Sequence, residues 1–475
     1  MKSLLAFLVA ATTALVGQVK VGATAQTLVL TNITVIDTRS AQTLPHVTIV
    51  VKDGIIQAVA KVGLIDSTPH TQIVNGNGKY VIPGLWDMHV HSAGGPAKPW
   101  DEKIILPLYL ANGITGIRDM GGDPAILEER RKKIDAGELA GPHMYIAGPF
   151  LNGGKSDAQT IAVNTPDEAR QAVDSLKARG MDFIKILSNI SPGVYWPLAE
   201  EAKLQHIHFV GHVPTGVSVA EASMMGQKSI EHLSGVLLAT SSKETQLRQQ
   251  ILEAIDKKDW AAYSHAMGEA RDTYSQPKAW DLFSEFVDNC TWQVPTLVWD
   301  VAAANVDNPA ASDDPRMKYV PKSVAKSWDP AKLAQETGAD QLAQAKKETA
   351  HYMQLVDLMR RAGVLMMAGT DSPDPFVFPG FSLHDELELL VKSGLSNMQA
   401  LQAATFYPAL FMTKLNRYGV VETGHVADIV VLDDDPLKDI ANTRKISAVI
   451  VRGKYYGRTD LDKMLADVAA IASTE

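Results

Sequence analysis

The sequence has one cysteine, Cys290, among its 475 residues. No intrachain disulfide can form, and a lone thiolate cannot build a metal site; beside Thr291-Trp292, Cys290 is read as a core residue. Basic charge is also scarce. Lys and Arg number 45 against 54 Asp and Glu, a formal charge of -9, which argues against nucleic acid or anionic lipid as partner. Past the first residues no run is long and apolar enough to cross a bilayer. Met1-Lys2-Ser3 and the apolar stretch Leu4 to Gly17 have the form of a signal peptide, with Ala23-Thr24-Ala25 as its cleavage site. Residues 1–25 are thus expected to be removed on export to a periplasm or the medium. Cleavage after Ala25 removes Lys2 and Lys20 and takes the charge from -9 to -11. The remaining chain is long enough for one large domain and one small one.

The two ends of that chain read alike. Residues 26–81 hold short β-branched runs such as Thr27-Leu28-Val29-Leu30 and Val47-Thr48-Ile49-Val50-Val51, with turn signals between them. Residues 418–475 repeat the pattern in Ile429-Val430-Val431-Leu432 and Ala448-Val449-Ile450-Val451, followed by a terminal helix. The ends are expected to complete one small β-sandwich. Between them, residues 82–417 alternate apolar strands with helical stretches. Strands are predicted at Leu85–His91, Gly116–Asp119, His143–Gly148, Asp182–Leu187, His208–Val213, Ser229–Leu233, Thr291–Leu297 and Leu365–Asp371. A helix is predicted from Thr165, a candidate N-cap before Pro166, to the stop at Gly180. Eight such units predict an α/β fold, a (β/α)8 TIM barrel, with a doubly wound sheet as the alternative. Insertions at 234–289 and 298–362, carrying Trp260, Trp280, Trp299 and Trp328, are expected at the active-site mouth or at a subunit interface.

Barrel enzymes work at the C-terminal ends of their strands. That position on the predicted strands holds His89 and His91, Lys185, His212, His232 and Asp371. Residues i and i+2 of a strand share a face, so His89 and His91 can converge on one ion. His206 and His208 lie near the start of their strand and are read as structural or surface residues. Alone, His232 reads more readily as a core histidine than as a ligand, and Asp371 can be read as a helix cap or turn former. Four imidazoles, a carboxylate and a lysine exceed the needs of one four-coordinate ion and suit two ions sharing bridging ligands. Lys185 is buried in an apolar run, where a bare ammonium is costly. Either it pairs with a carboxylate, or its neutral amine takes up carbon dioxide to give a bridging carbamate; the carbamate is the reading taken.

These residues resemble the amidohydrolase superfamily, in the branch of imidazolonepropionase and Xaa-Pro dipeptidase (prolidase)-like enzymes. The resemblance runs from Val81-Ile82-Pro83-Gly84-Leu85-Trp86-Asp87-Met88-His89-Val90-His91 through Phe183-Ile184-Lys185, Gly211-His212-Val213 and Gly369-Thr370-Asp371 to Gly424-His425-Val426-Ala427-Asp428. It implies one zinc on His89, His91 and Asp371, a second on His212 and His232, and carboxylated Lys185 between them. Manganese, iron or cobalt can replace zinc in such a ligand set.

The chemistry expected is hydrolysis of amide bonds in dipeptides or N-acyl amino acids by a metal-activated bridging hydroxide, with Asp371 moving the proton. Tyr195 is read either as an oxyanion donor or as packing under a lid. Arg118 either meets a substrate carboxylate or pairs with Asp119. Lys155 stands in Leu151-Asn152-Gly153-Gly154-Lys155, where dipeptidase-like relatives tend to carry histidine; it is either a cationic clamp or solvated. A lactonase, esterase or cyclic-amide hydrolase would use the same centre, whereas a silent binding protein would be expected to lack ligands. The partners expected are a small-molecule substrate and further copies of the chain.

Overall fold

Apolar residues alternate along Thr27–Asp37 and Gln42–Lys52, and both run as strands paired antiparallel. The computed structural model describes residues 27–61, 70–94 and 98–475; the expected signal peptide lies outside them. The two strands belong to an eight-stranded sheet. Ile55–Lys61, Thr71–Asn75 and Tyr80–Pro83 join it from one end of the chain, Ile429–Leu432, Ile446–Val451 and Lys454–Gly457 from the other. Its pairing is not wholly antiparallel, because Thr27–Asp37 takes both Thr71–Asn75 and Tyr80–Pro83 as parallel neighbours. Backbone bonds from Ile56 N to His425 O and from Gly424 N to Ile56 O curl the sheet back on itself. Leu30, Ile33, Val35, Ile49, Val81, Ile429 and Ile450 form its own core, each worth about 1.5–3 kcal/mol when fully buried.

Between the ends the chain alternates parallel strands and helices. Leu85–Val90, Ile114–Asp119 and His143–Ile146 form one parallel sheet. Thr160–Ala162, Phe150–Asn152, Phe183–Ile186, His208–Gly211, Ser229–Glu231 and Trp292–Val294 form a second, in that order. The expected eighth strand is not regular. Its segment makes only isolated parallel bridges, Met366 to Gln293 and Ser372 to Val90. The described strands therefore do not make one closed sheet. The two sheets meet through this segment on one side and through a 3.0 Å bond from Asp182 N to Ile146 O on the other. At its end Asp371 has φ 62, outside the extended range a strand needs.

The helix predicted after Thr165 spans Pro166–Ala178, with a capping box between Thr165 and Glu168. Its apolar stripe of Ala169, Ala172, Val173 and Leu176 is buried. The insertions are helical, with Glu244–Lys257 and Trp260–Asp272 in the first and Ala339–Ala362 in the second. Trp328 is buried against Trp100 and Phe378, while Trp260 stays exposed. Cys290 is exposed rather than in the core. It takes the left-handed turn that follows the helix Gln276–Asp288, where the chain faces solvent. The terminal helix Arg458–Ala472 packs against Glu102–Ala111. Among the described residues no helix is long and apolar enough to cross a membrane.

Candidate metal centre

Asp87, His89 and His91 alternate at the end of Leu85–Val90, which aims all three toward the interior. His212 and His232 each stand one residue past a strand, and Lys185 lies within one. Two glycines make the convergence possible. A Cβ on Gly211 would lie 2.2 Å from Ile186 O and 2.9 Å from Lys185 Cδ. One on Gly369 would lie 2.8 Å from His89 Cβ, so only glycine lets Thr370 and Asp371 donate their backbone N–H groups to His89 O, at 3.2 and 2.7 Å.

One ligand atom each of His89, His91 and Asp371 lies within 4.8 Å of the others. Asp371 Oδ1 is 3.4 Å from His89 Nε2 and 3.1 Å from His91 Nε2, and Oδ2 is 3.7 Å from His232 Nε2. The ring of His232 lies 4.5 Å from that of His89 and 5.2 Å from that of His212. Each imidazole is anchored through Nδ1. His89 bonds Glu231 Oε2 at 3.0 Å, His91 bonds Gly121 O at 2.7 Å, His212 bonds Ser188 Oγ at 3.0 Å, and His232 bonds Thr296 Oγ1 at 2.7 Å. Thr296 donates its own hydroxyl to Pro295 O, so its oxygen accepts from His232 Nδ1–H.

The residues fit a bound cation. His89 Nε2 is buried with no hydrogen-bond partner, and with Nδ1–H given to Glu231 it offers a bare lone pair. Burial, reinforced by Lys185, holds His89 and His212 well below the ordinary imidazole pKa. Burial lowers His232 to about 4, against the pull of Asp371. These three imidazoles are neutral near pH 7, as ligation requires. Burial also disfavours charge on His91, but the hydrogen bond and charge of Asp371 beside it outweigh that and raise it. Lys185 is 1% exposed, and burial lowers its amine to about 8.

Three expected site residues lie elsewhere. Tyr195 is fully buried in the helix Pro192–Leu204, donating to Gln227 Oε1 at 3.0 Å and packing on Phe209. The strand-to-helix loop is too short to bring it over the mouth, so packing is its role. Arg118 is taken up by other partners and does not pair with Asp119. Fully buried, it donates to Met88 O, Ser229 Oγ and Glu231 Oε2, while Asp119 accepts from Ser92 and Gly121 N. Lys155 is exposed, the solvated alternative. His206 is exposed and His208 half-buried beside Phe411, in keeping with structural or surface roles.

Sequence reasoning missed the residues that hold the ligands. Glu231 and Asp87 are fully buried. Asp87 accepts from Thr370 N at 3.0 Å and from Thr370 Oγ1 at 2.7 Å, and burial pushes its carboxyl up to about 7 despite those bonds. Asp87 shares the i, i+2, i+4 face with His89 and His91, a signal that was there to read.

Residues 301–455 match the model of the amidohydrolase family. The ochratoxinase of Aspergillus niger is 23% identical over 427 residues, covering 78% of this chain and 73% of its own. Among solved structures, bottromycin amidohydrolase superposes with a TM-score of 0.70 at 20% identity, over 94% of this chain and 90% of that one. A Xaa-Pro dipeptidase with methionine bound in its active site gives 0.63 at 20% identity, over 91% and 100%. Part of the chain thus matches the amidohydrolase family, and most of it shares the fold of prolidase-like amidohydrolase structures.

Proposed function

We propose that this protein is an exported, metal-dependent hydrolase of amide bonds in dipeptides or N-acyl amino acids. The observation that carries the proposal is the convergence of His89, His91 and Asp371, with His232 beside them and a buried, unpartnered His89 Nε2 at its centre. The two parallel sheets, joined through residues 365–372, are read as the eight-stranded barrel that presents this centre. The small domain is read as residues 26–81 with 418–475, and residues 1–25 as a cleaved signal.

His89, His91 and Asp371 would hold one divalent ion and His212 and His232 a second, most simply zinc. Lys185 lies close to Asp371, His212 and His232; its neutral amine would attack carbon dioxide, forming an N–C bond as one C–O π bond opens and a proton is released, and the resulting carbamate would serve as a further anionic ligand. When bound, the pair of ions supplies an acidified water and a Lewis acid for the scissile carbonyl. The chain's own part is to hold the imidazoles by Nδ1 and to keep them neutral. Asp371 accepts a proton and returns it to the leaving amine. Matches to an ochratoxinase, to the enamidase of Eubacterium barkeri and to a dipeptidase structure favour carbon–nitrogen bonds over lactones.

The test is metal content by plasma mass spectrometry after purification without chelator, joined to a panel of dipeptides, N-acyl amino acids and lactones. About two equivalents of metal are expected, with amide hydrolysis lost on chelation and restored by zinc. One equivalent would recast Lys185 as structural, and hydrolysis untouched by chelation would overturn the proposal.

A further inference from the structure

More carboxylates surround the centre than its ligand set uses. Asp374 stands three residues past Asp371, at the start of a tight turn closed by Val377 N donating to Asp374 O at 2.8 Å. Its Oδ2 accepts from the indole N–H of Trp299, whose ring lies 6.0 Å from that of His232. The charged groups that bear on it are Asp371 and His91. Asp374 thus lies close to the centre and has no Lys or Arg among those charges. The next residue after Trp299 repeats the theme. Asp300 Oδ2 is buried with no hydrogen-bond partner, and the ionisable groups that face Asp300, namely Glu386, Glu348 and Asp371, are all acidic and include no Lys or Arg. Of the cations expected at the mouth, Arg118 is committed to Glu231 and Lys155 is exposed.

A buried carboxylate without a cation is costly. A carboxylate braced by an indole is also the arrangement that recognises an organic cation, through a charge-assisted hydrogen bond and the face of the ring. A substrate carboxylate would be repelled there.

We propose that Asp374, held by Trp299, is a specificity-determining residue that binds an ammonium or guanidinium group of the substrate. The inference rests on amide hydrolysis at the adjacent centre and narrows its substrates to amino-acid amides and short peptides with a positive charge near the scissile bond. That charge is either a basic side chain or a free α-amino group.

The test compares kcat/KM for N-acetyl-lysine and N-acetyl-norleucine, and for Gly-Leu and its N-formyl derivative, on metal-loaded enzyme. The charged member of at least one pair is expected to lead by about tenfold; the pair that shows it tells side chain from α-amino group. Asp374→Asn keeps an acceptor for Trp299 and is expected to shrink that ratio to about threefold or less, whereas Asp374→Glu retains most of it. Binding of lysine, norleucine and N-acetyl-norleucine, followed calorimetrically on the zinc-loaded protein, gives a readout without turnover: lysine leads norleucine if the side chain is read, norleucine leads N-acetyl-norleucine if the α-amino group is, and Asp374→Asn removes that difference without lowering metal content. Hydrolysis with no charge preference, or a preference that survives Asp374→Asn, overturns the inference and leaves the hydrolase standing. Charge-selective binding without hydrolysis of any amide supports the subsite and overturns the hydrolase.

Discussion

Arg118, Glu231 and Ser229 lie one step back along the strands from His89, His91, His232 and Asp371, and both groups are buried or nearly so. In the deeper group every charged atom is spoken for. Arg118 reaches Ser229 at 3.0 Å and Glu231 at 2.7 Å, and Ser229 closes the ring onto Glu231 Oε1 at 2.5 Å. In the upper group His89 Nε2 has no hydrogen-bond partner, and Asp371 stands against three imidazoles, nearest that of His91 at 3.1 Å. Buried polar atoms are ordinarily satisfied. A satisfied network makes a scaffold, and an unsatisfied one beside it marks where a ligand belongs. Glu231 belongs to both groups, since it also holds His89 Nδ1.

The sharpest way to break this contrast is in the upper group. Asp371→Asn keeps the shape but removes both an anionic ligand and the proton acceptor. It is expected to lower kcat/KM by about 10³-fold or more and to reduce bound metal, measured together on one preparation. Near-normal turnover with normal metal would deprive the upper group of its role. Glu231→Gln comes next. It should weaken metal binding by about 10–100-fold, as expected when a ligand's orienting partner is lost. It should also cost about 3–5 kcal/mol of stability, because Arg118 is left buried beside a neutral amide. Denaturant unfolding of the metal-free protein separates the two effects. If stability is unchanged while metal binding falls, Glu231 serves only the upper group.

What could be read beforehand follows from how local each signal is. His89 and His91 share one strand, so their convergence is a matter of period alone. The helix after Thr165 is similarly self-contained, with its cap, apolar stripe and stop all within the segment. The ligand set depends on several strand ends adopting one level, which apolar patterning predicts only if each strand is found. Seven were. The segment before Asp371 was not a strand, because its conformation is set by packing against His89 and not by its own residues. The two readings of Tyr195 and of Arg118 could not be decided beforehand for a related reason. Whether a side chain at a strand or helix end turns to the mouth or to the core depends on neighbours such as Gln227 and Glu231, far away in the chain.

The comparison also warns that an unpartnered atom is not by itself a site, and Glu386 allows that to be tested. It is fully buried in the helix Phe381–Lys392; its Oε2 accepts from Val298 N at 2.8 Å, and its Oε1 has no partner. Burial is the main cause that pushes its carboxyl up to about 8, against the backbone bonds that favour the anion. The folded chain therefore keeps a proton there that the unfolded chain releases near the ordinary value of 4.5. Between those limits the native state binds more protons, so the stability linked to Glu386 falls as pH rises and is lost through about pH 8. Glu386→Gln still accepts from Val298 N and cannot ionise. Thermal melts at pH 5 and pH 8 should show the wild type losing more Tm than the variant, a smaller effect than either substitution above. Since other groups titrate alike in both proteins, the difference in slope isolates Glu386. Parallel slopes would mean that Glu386 is ionised and compensated in the fold, which would place a cation or ordered water beside its free oxygen and extend the unsatisfied upper group to this helix.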